Sequence, residues 1–236
     1  MSALTLGLPS KGRLQADTIA WFAARGVEIA PAGQSREYRA EVHGLPGLGV
    51  VMLSAGEIPG ELAAGRIHLG VTGEDLIRER VAFRGRDVRL ATAMGFGHAD
   101  LVVAVPDFWI DVATMADLDE VCADFRARHG RSLRVATKYL NLTRGFFRAK
   151  GVADYRIVPS LGATEAAPKN RTAEAIVDIT SSGATLRDNH LRVLEDGLIL
   201  RSEANLCISG EAAWSETTRA IFTGLARRLG IAAEAP

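Results

Sequence analysis

The sequence predicts an α/β fold, because short apolar segments with strand character alternate with helical patterns along its 236 residues. Such alternation favours mainly parallel sheets with helices on both faces. The length admits one large domain or two small ones. With 47% hydrophobic residues, the chain can bury a sizeable core.

The first half of the chain contains three predicted strands, each followed by a helical pattern. The strands are at residues 4–8, 48–53 and 67–71. The first and third helices are at 14–25 and 74–81, and the second is a short helix that follows the second strand and runs through residue 62. Gly26 and Gly65 end the first two helices. Ser54 and Glu57 have the spacing of a capping box, and two acids lie in the first turn of the third helix.

The second half continues the alternation and ends in an amphipathic helix. Its predicted strands are at residues 101–105, 133–136 and 156–158, and a fourth begins at 175. One predicted helix follows residue 114, another is at 141–150, and the last begins at 214. Thr114 and Asp117 form a second capping-box pattern, and Gly130 and Gly230 end their helices. The run 198–209 is too long for an ordinary strand, so we expect it to pass between two sheets.

Composition excludes several classes of protein. The 28 basic residues balance the 28 acidic ones, so no net positive field attracts nucleic acid or an anionic membrane. The start of the chain lacks the pattern of a signal peptide, and no stretch approaches 18 apolar residues. We therefore expect a soluble cytoplasmic protein. Cys122 and Cys207 have no C-x-x-C spacing, which indicates neither a disulfide framework nor a zinc site.

The strongest chemical signal is the segment 175–189, in which a buried strand leads through a turn into a short helix. Small and hydroxyl residues keep the backbone of the turn uncrowded: Thr180, Ser181, Ser182, Gly183, Ala184 and Thr185. Backbone N–H groups and the helix N-terminus can converge there on a phosphate, while Asp178 can accept hydrogen bonds from ribose hydroxyls or help hold a metal-bound ligand. Taken alone, such a turn is also a routine connector.

Three other segments carry candidate site residues. Lys11 and Arg13 flank Gly12 after the first strand and can approach phosphate, although an exposed basic loop has the same pattern. Glu74 and Asp75 can receive ribose or amino groups, or act only as helix N-terminal acids. The sequence has no P-loop, G-x-G-x-x-G, H-E-x-x-H or G-x-S-x-G motif, so we assign neither a catalytic nucleophile nor a dedicated metal site.

The segment 178–189 resembles the loop that binds phosphoribosyl pyrophosphate (PRPP) in the ATP phosphoribosyltransferase family. The resemblance includes seven further segments in the same order, at residues 8–14, 58–60, 68–75, 95–97, 134–142, 162–168 and 201–206. The sequence departs from the family pattern at Leu140 and Glu174, in the turn 170–172, which in the family more often contains glycine, and at His190, which replaces a glycine. Val177 precedes Asp178, so the paired acids of ordinary purine and pyrimidine phosphoribosyltransferases are missing.

The resemblance implies a two-lobed, periplasmic-binding-protein-like fold with the substrates in the cleft between the lobes. Residues 1–92 plus 192–236 would form the lobe on the nucleotide side, and residues 93–191 the lobe with the PRPP loop. The implied reaction is attack of N1 of ATP on C1 of PRPP, which gives phosphoribosyl-ATP and pyrophosphate at the first step of histidine biosynthesis.

The resemblance also implies roles for individual residues. The expected PRPP-binding residues are Asp178, Thr180, Ser181, Ser182, Gly183, Ala184, Thr185 and Glu165. The expected ATP-binding residues are Lys11, Gly12, Arg13, Glu74 and Asp75. Thr137, Lys138 and Tyr139 are expected to face the cleft. Mg²⁺ is expected to bind mainly through the PRPP diphosphate.

The resemblance is to the short form of the family, whose members work in a hetero-oligomer with a regulatory subunit similar to histidyl-tRNA synthetase. The expectation of a short form rests on the six residues that follow Gly230. Two other classes of function stay open: a two-lobed solute-binding or ligand-sensing domain, and a phosphoribosyltransferase with another acceptor.

Overall fold

A computed structural model describes residues 4–30, 39–42, 44–81, 88–160 and 162–234. The chain divides into two compact units. Unit 1 comprises the described residues of Met1–Gly97 and Glu203–Pro236, and unit 2 is His98–Ser202. His43, one of the five histidines that we assigned to no metal, lies outside the described residues. Within them, no helix combines the length and apolar character needed to cross a bilayer.

Unit 1 contains a seven-stranded sheet in the order β2-β3-β4-β1-β5-β12-β6. Its strands are β1 (Leu4–Pro9), β2 (Ile29–Ala30), β3 (Arg39–Val42), β4 (Leu48–Leu53), β5 (Leu69–Gly73), β6 (Val88–Ala93) and β12 (Ala204–Ser209). Its helices are α1 (Gly12–Ala23), α2 (Ile58–Ala63), α3 (Glu74–Arg80) and α7 (Glu216–Leu229). The predicted last helix is confirmed, because Phe222 and Leu225 of α7 are fully buried in the core of this unit.

Unit 2 contains a five-stranded sheet in the order β11-β7-β10-β8-β9. Its strands are β7 (Ala99–Pro106), β8 (Leu133–Thr137), β9 (Tyr155–Pro159), β10 (Ala175–Thr180) and β11 (Leu191–Ser202). Its helices are α4 (Met115–His129), α5 (Leu140–Ala149) and α6 (Ala184–Asp188), and a 3-10 turn spans Thr164–Ala166. Val103, Val135, Ile176 and Leu118 are among the side chains of this unit that are fully buried.

The α/β class is confirmed, but the expectation of mainly parallel sheets is wrong. Among the described strands, four pairings are parallel and six are antiparallel. The run 198–209 is divided at Glu203 into β11 and β12, which belong to different sheets, as the sequence predicted. The direction of each strand depends on where the chain enters a sheet, and that information is not contained in local periodicity.

The boundary between the units differs from the predicted one. Residues 192–202 were grouped with the first lobe, but they belong to β11, which pairs antiparallel with β7 from Leu191↔Pro106 to Ser202↔Ala99. Residues 93–97, which we grouped with the second lobe, belong to unit 1. Here Met94 and Phe96 exchange backbone hydrogen bonds with Ala204.

The two predicted capping boxes have different outcomes. The one at α4 is confirmed, since the Thr114 hydroxyl accepts from the Asp117 N–H and the Asp117 carboxylate accepts from the Thr114 N–H at 2.7 Å. In the other, Glu57 accepts from the N–H and hydroxyl of Ser54, but α2 begins only at Ile58. That pair therefore closes a turn ahead of the helix.

His68 has a structural environment in unit 1. Its Nδ1 accepts from the Thr5 N–H at 3.2 Å, so Nε2 carries the proton of the neutral ring and faces the Ala213 carbonyl oxygen at 3.3 Å. The Trp214 ring packs edge-on against it, with 5.1 Å between the centroids. Burial lowers the pKa of His68, so the ring is held in its neutral form.

Candidate functional site

The candidate PRPP site in unit 2 lies where β8 and β10 end. These strands are parallel, with Val177 opposite Thr137, so the residues that follow emerge at the same edge of the sheet. Asp178 and Lys138 meet there, with 3.9 Å between the carboxylate Oδ1 and Nζ. Two side chains that are 40 residues apart in sequence thus face one another, as the carboxyl ends of neighbouring parallel strands require.

Asp178 lies in an environment that disfavours its charge. Its side chain is only 15% exposed, and burial raises the pKa of this carboxyl group above its usual value. The Ile179 N–H, which donates to Oδ1 at 2.9 Å, and the Lys138 ammonium oppose that shift, whereas the Glu165 carboxylate adds to it. Asp178, Lys138 and Glu165 are hereafter called the acid–lysine group.

The position of Glu165 is fixed by hydrogen bonds of the preceding loop. Glu165 is half-buried in the 3-10 turn Thr164–Ala166. The Ser160 N–H donates to the carbonyl oxygen of Thr137 at 3.0 Å, and the Thr164 hydroxyl donates to the Ser160 hydroxyl at 3.0 Å. Ser160 therefore joins the turn to the end of β8. No sequence motif identifies this serine.

The expected phosphate loop is closed by its own hydroxyl groups. The Thr180 hydroxyl accepts from the Gly183 N–H at 2.9 Å, and the Ser182 hydroxyl accepts from the Ala184 N–H at 3.3 Å. The Ser181 hydroxyl donates to the carbonyl oxygen of His98 at 3.0 Å. Two of the N–H groups that we expected to converge on a phosphate thus have partners within the loop, which an incoming phosphate would replace.

Gly183 has the backbone conformation that the loop requires. Its φ is +71°, in the left-handed region, and it caps the N-terminus of α6. Thr185 follows in the first turn of α6 and is exposed. A side chain at Gly183 would be strained in this conformation and would meet the Arg187 guanidinium at 2.8 Å.

The structure differs from expectation at Thr137 and Tyr139. Both side chains are buried, and the Thr137 hydroxyl accepts from the Tyr139 N–H at 2.9 Å. They shape the turn into α5. Lys138, between them, has a side chain that is 43% exposed. It is therefore the accessible member of the three residues that were expected to face a cleft.

Unit 1 brings its candidate residues to the carboxyl edge of its own sheet. Because β1 runs parallel to β5, the residues after Pro9 lie beside the end of β5 and the start of α3. Lys11 and Arg13 are exposed there, and Gly12 between them has a φ of +75°. Arg13 lies 3.5 Å from Asp17, but its side chain is 93% exposed, so this ion pair holds it only weakly.

The two acids at the start of α3 differ in accessibility. Glu74 is half-buried and accepts from the Arg78 Nε at 2.6 Å. Asp75 is buried, contrary to the expectation that its carboxylate is open to a nucleotide. Glu203, for which no role was expected, lies beside them. Its carbonyl oxygen accepts from the Glu74 N–H at 3.0 Å, and its carboxylate accepts from the Gly95 N–H at 2.8 Å.

A solved structure identifies the class of fold to which the two α/β units belong. An ancestral arginine-binding protein bound to arginine has this fold, with a TM-score of 0.52, 11% sequence identity, and coverage of 98% of this chain and 92% of that one. The likeness concerns the fold alone. It confirms the predicted periplasmic-binding-protein-like architecture.

The family is shown by sequence. A model of the family "ATP phosphoribosyltransferase" matches residues 54–230. The ATP phosphoribosyltransferase of Cereibacter sphaeroides is 57% identical over 97% of this chain and 96% of its own length. That of Rhodopseudomonas palustris (strain BisA53) is 58% identical over 91% of this chain, which spans 66% of that longer relative. The chain belongs to the ATP phosphoribosyltransferase family.

A solved structure agrees with this assignment at the level of the fold. The chain is similar to one in the ATP phosphoribosyl transferase (HisG:HisZ) complex from Thermotoga maritima, with a TM-score of 0.72 and 22% identity. The match covers 96% of both chains.

Proposed function

We propose that this chain transfers the phosphoribosyl group of PRPP to N1 of ATP, which gives phosphoribosyl-ATP and pyrophosphate in the first step of histidine biosynthesis. Family membership supports the reaction type. The observation that carries the proposal is the acid–lysine group beside the loop 180–185, at the strand edge where α/β proteins bind their ligands. We place this biosynthetic step in the cytoplasm.

In this proposal PRPP binds to unit 2. Asp178 accepts hydrogen bonds from the ribose hydroxyls, because its carboxylate lies at the strand end. Lys138 supplies the positive charge that faces the diphosphate. Thr180, Ser182 and Thr185 direct hydroxyl groups at the 5-phosphate. Thr180 and Ser182 exchange their bonds to the loop N–H groups for bonds to phosphate oxygens.

The acid–lysine group suits a ligand that carries Mg²⁺. Asp178 and Glu165 are two carboxylates, and Lys138 is the one ammonium group beside them. Because negative groups exceed positive ones there, an anionic diphosphate needs an additional cation to approach them. Oxygen ligands of this kind, completed by substrate phosphates and water, are those that Mg²⁺ prefers. Bound Mg²⁺ would neutralise the charge that develops on the departing pyrophosphate.

ATP is assigned to unit 1 in this proposal. Lys11 and Arg13 offer two exposed cations next to a glycine, and their only described ion pair is the weak contact of Arg13 with Asp17. Each can form charge-assisted hydrogen bonds to a triphosphate. Glu74 is placed to accept from a ribose hydroxyl or an amino group, while Asp75 is buried in the first turn of α3.

The reaction requires no protein nucleophile. The lone pair of adenine N1 forms a bond to C1 of PRPP, with inversion, as the bond from C1 to the pyrophosphate oxygen breaks. The protein contributes by orienting the two substrates and by placing carboxylates near the positive charge that develops on the sugar. Asp178 and Glu165 are the described carboxylates in the position to do so.

We further propose that the chain acts with a regulatory subunit similar to histidyl-tRNA synthetase. The support is the likeness to a chain of the Thermotoga maritima complex, which contains a second kind of subunit. Inhibition by histidine through such a partner requires that histidine bind two conformations of the assembly with different affinities.

The test is a product assay with the purified chain, Mg²⁺ and PRPP, with and without a regulatory subunit. ATP should give the absorbance of an N1-substituted adenine together with pyrophosphate. Free adenine, other nucleobases and other nucleotides should release no pyrophosphate from PRPP. Release with one of these acceptors and not with ATP would show a different phosphoribosyltransferase. Tight binding of a solute without any turnover would favour a binding protein.

A further inference from the structure

A pocket of about 460 Å³ in unit 2 is not used by the proposed reaction. It lies between the C-terminal half of α5 and the start of β9. The lining residues are Arg144, Arg148, Gly151, Val152, Ala153 and Tyr155. A volume of this size is sufficient for a small organic ligand.

The pocket lies at the opposite edge of the sheet from the acid–lysine group. Tyr155 begins β9 beside Leu133, the first residue of β8, whereas Lys138 follows Thr137, the last residue of that strand. Leu133 and Thr137 are four residue steps apart along β8, a distance of roughly 13 Å. A ligand in this pocket is therefore distinct from the PRPP proposed at the other edge.

The pocket carries two arginines without acidic partners among the described residues. Arg144 and Arg148 are one turn apart on α5, so their side chains lie on the same face of the helix, and both are exposed. The arginines of the preceding segment have such partners: Arg126 with Asp154, Arg128 with Asp124, and both Arg131 and Arg134 with Glu174.

The negative groups near the pocket do not cancel this charge. Asp154 is paired with Arg126 at 2.7 Å, and Asp119 accepts from the Ala153 N–H at 3.1 Å. The C-terminal end of α5 contributes a partial negative charge of about half an elementary charge, which is smaller than the two positive charges. With the full negative charge of Asp119 also counted, the two guanidinium groups still leave a positive balance in the pocket.

Tyr155 adds a neutral donor to this field. Its ring packs against Phe147, with 4.6 Å between the centroids, and its side chain is half-buried. Burial raises the pKa of the Tyr155 hydroxyl, and Arg144 and Arg148 are the charged groups that act on it in the opposite direction. The phenol therefore remains protonated near neutral pH, and both guanidinium groups lie within electrostatic range of it.

We propose that this pocket binds the phosphate group of a small phosphorylated molecule through Arg144, Arg148 and the Tyr155 hydroxyl. A phosphate dianion offers three oxygens, which is enough for two guanidinium groups and a phenol, whereas the two oxygens of a carboxylate are already satisfied by one guanidinium fork. The site is independent of the proposed substrate sites and would place a further anion on the enzyme.

The test follows the backbone amide signals of the full chain by NMR during titration with inorganic phosphate, against sodium chloride at equal ionic strength. We expect saturable shifts at Gly151, Val152 and Ala153 with phosphate only. The double variant R144A/R148A should weaken this binding by at least about ten-fold, while shifts at Gly183 and Ala184 persist. Those loop signals also show that the variant is folded.

Two controls make the result specific. Arg128→Ala removes an exposed arginine of the same unit that is paired with Asp124, and it should leave the shifts at Gly151 unchanged. Tyr155→Phe should weaken phosphate binding several-fold. The proposal is overturned if wild type shows no saturable shift at these residues, or if the double variant binds phosphate as wild type does. Equal or stronger binding of succinate would contradict the assignment to phosphate.

Discussion

At the scale of single residues, the proposed ribose contact at Asp178 is held at a cost to stability. The folded-state pKa of Asp178 is raised, so the folded protein holds this proton more tightly than the unfolded chain. The resulting stabilisation is present below the ordinary pKa of 3.8 and is lost as the pH rises through the raised value. Once the carboxylate is ionised, its burial therefore opposes folding.

Asp178→Asn should accordingly separate stability from activity. We expect loss of most PRPP turnover, about 100-fold or more, with an unchanged or higher Tm, since the neutral amide is not penalised by burial. A gain on the order of 1 kcal/mol would raise Tm by about 2–4 °C. Steady-state kinetics and calorimetry measure the two effects. Asp124→Asn, at an exposed site on α4, is the matched control and should change neither.

His68 makes the stability of unit 1 depend on pH in the opposite direction. Burial lowers its pKa below the ordinary value of 6.5, so the unfolded chain binds the proton more readily than the folded one. Stability should therefore fall as the pH drops below about 6.5, because a second ring proton removes the acceptor for the Thr5 N–H. Urea midpoints at about pH 7.5 and pH 5.5 should differ more in wild type than in His68→Gln. Equal differences would exclude His68 as the cause.

At the scale of elements, the strand-end loops concentrate the charged residues that we assign to substrates. Replacing both Lys11 and Arg13 by alanine should raise the KM for ATP by at least about ten-fold, since each charge-assisted contact contributes about 1.5–3 kcal/mol. The KM for PRPP should change much less. Arg66→Ala removes an exposed, ion-paired arginine of the same unit and should leave both constants unchanged. An unaltered ATP saturation curve in the double variant would show that this loop is exposed surface with no role in ATP binding.

Two positions that depart from the family sequence pattern have a left-handed backbone conformation. Arg171 and His190 stand where that pattern has a glycine-containing turn or glycine, and both have positive φ, at 56° and 57°. Left-handed backbone strains a non-glycine residue by about 1–2 kcal/mol, which the entropy cost of glycine partly offsets. His190→Gly should thus raise the unfolding free energy by up to about 1 kcal/mol in urea titrations. A decrease would show that the exposed pair of His190 with Asp107 matters more.

How much of each element could be predicted depends on how local its cause is. The α4 capping box, Gly130 and Gly230 were identified because a cap acts within one helical turn. The short strands β2 and β3 were not predicted, since two to four residues carry too little periodicity. In the candidate site, the predicted ends of the strands identified Lys138 and Asp178. The burial of Asp75 and Tyr139 depends on packing between elements, which the spacing of residues in the sequence does not encode.

At the scale of the whole molecule, the proposed regulation involves a second subunit. We expect the isolated chain to be at most weakly active and insensitive to histidine at a site of its own. Adding the proposed regulatory subunit should raise turnover and make it inhibitable by histidine. Steady-state assays with and without that subunit measure both effects. Full activity with strong histidine inhibition in the isolated chain would refute the need for a partner while leaving the catalytic proposal intact.

The position of β12 has a consequence for the order of events during synthesis. β12 lies between β5 and β6 in the sheet, yet it is made only after the whole of His98–Ser202. All strands of unit 2 are contiguous in sequence, so its sheet can close while β5 and β6 still lack the strand that joins them. Until Ala204–Ser209 leave the ribosome, both present unpaired edges to other nascent chains. The first part of the protein to be translated therefore cannot complete its fold until most of the chain has been made.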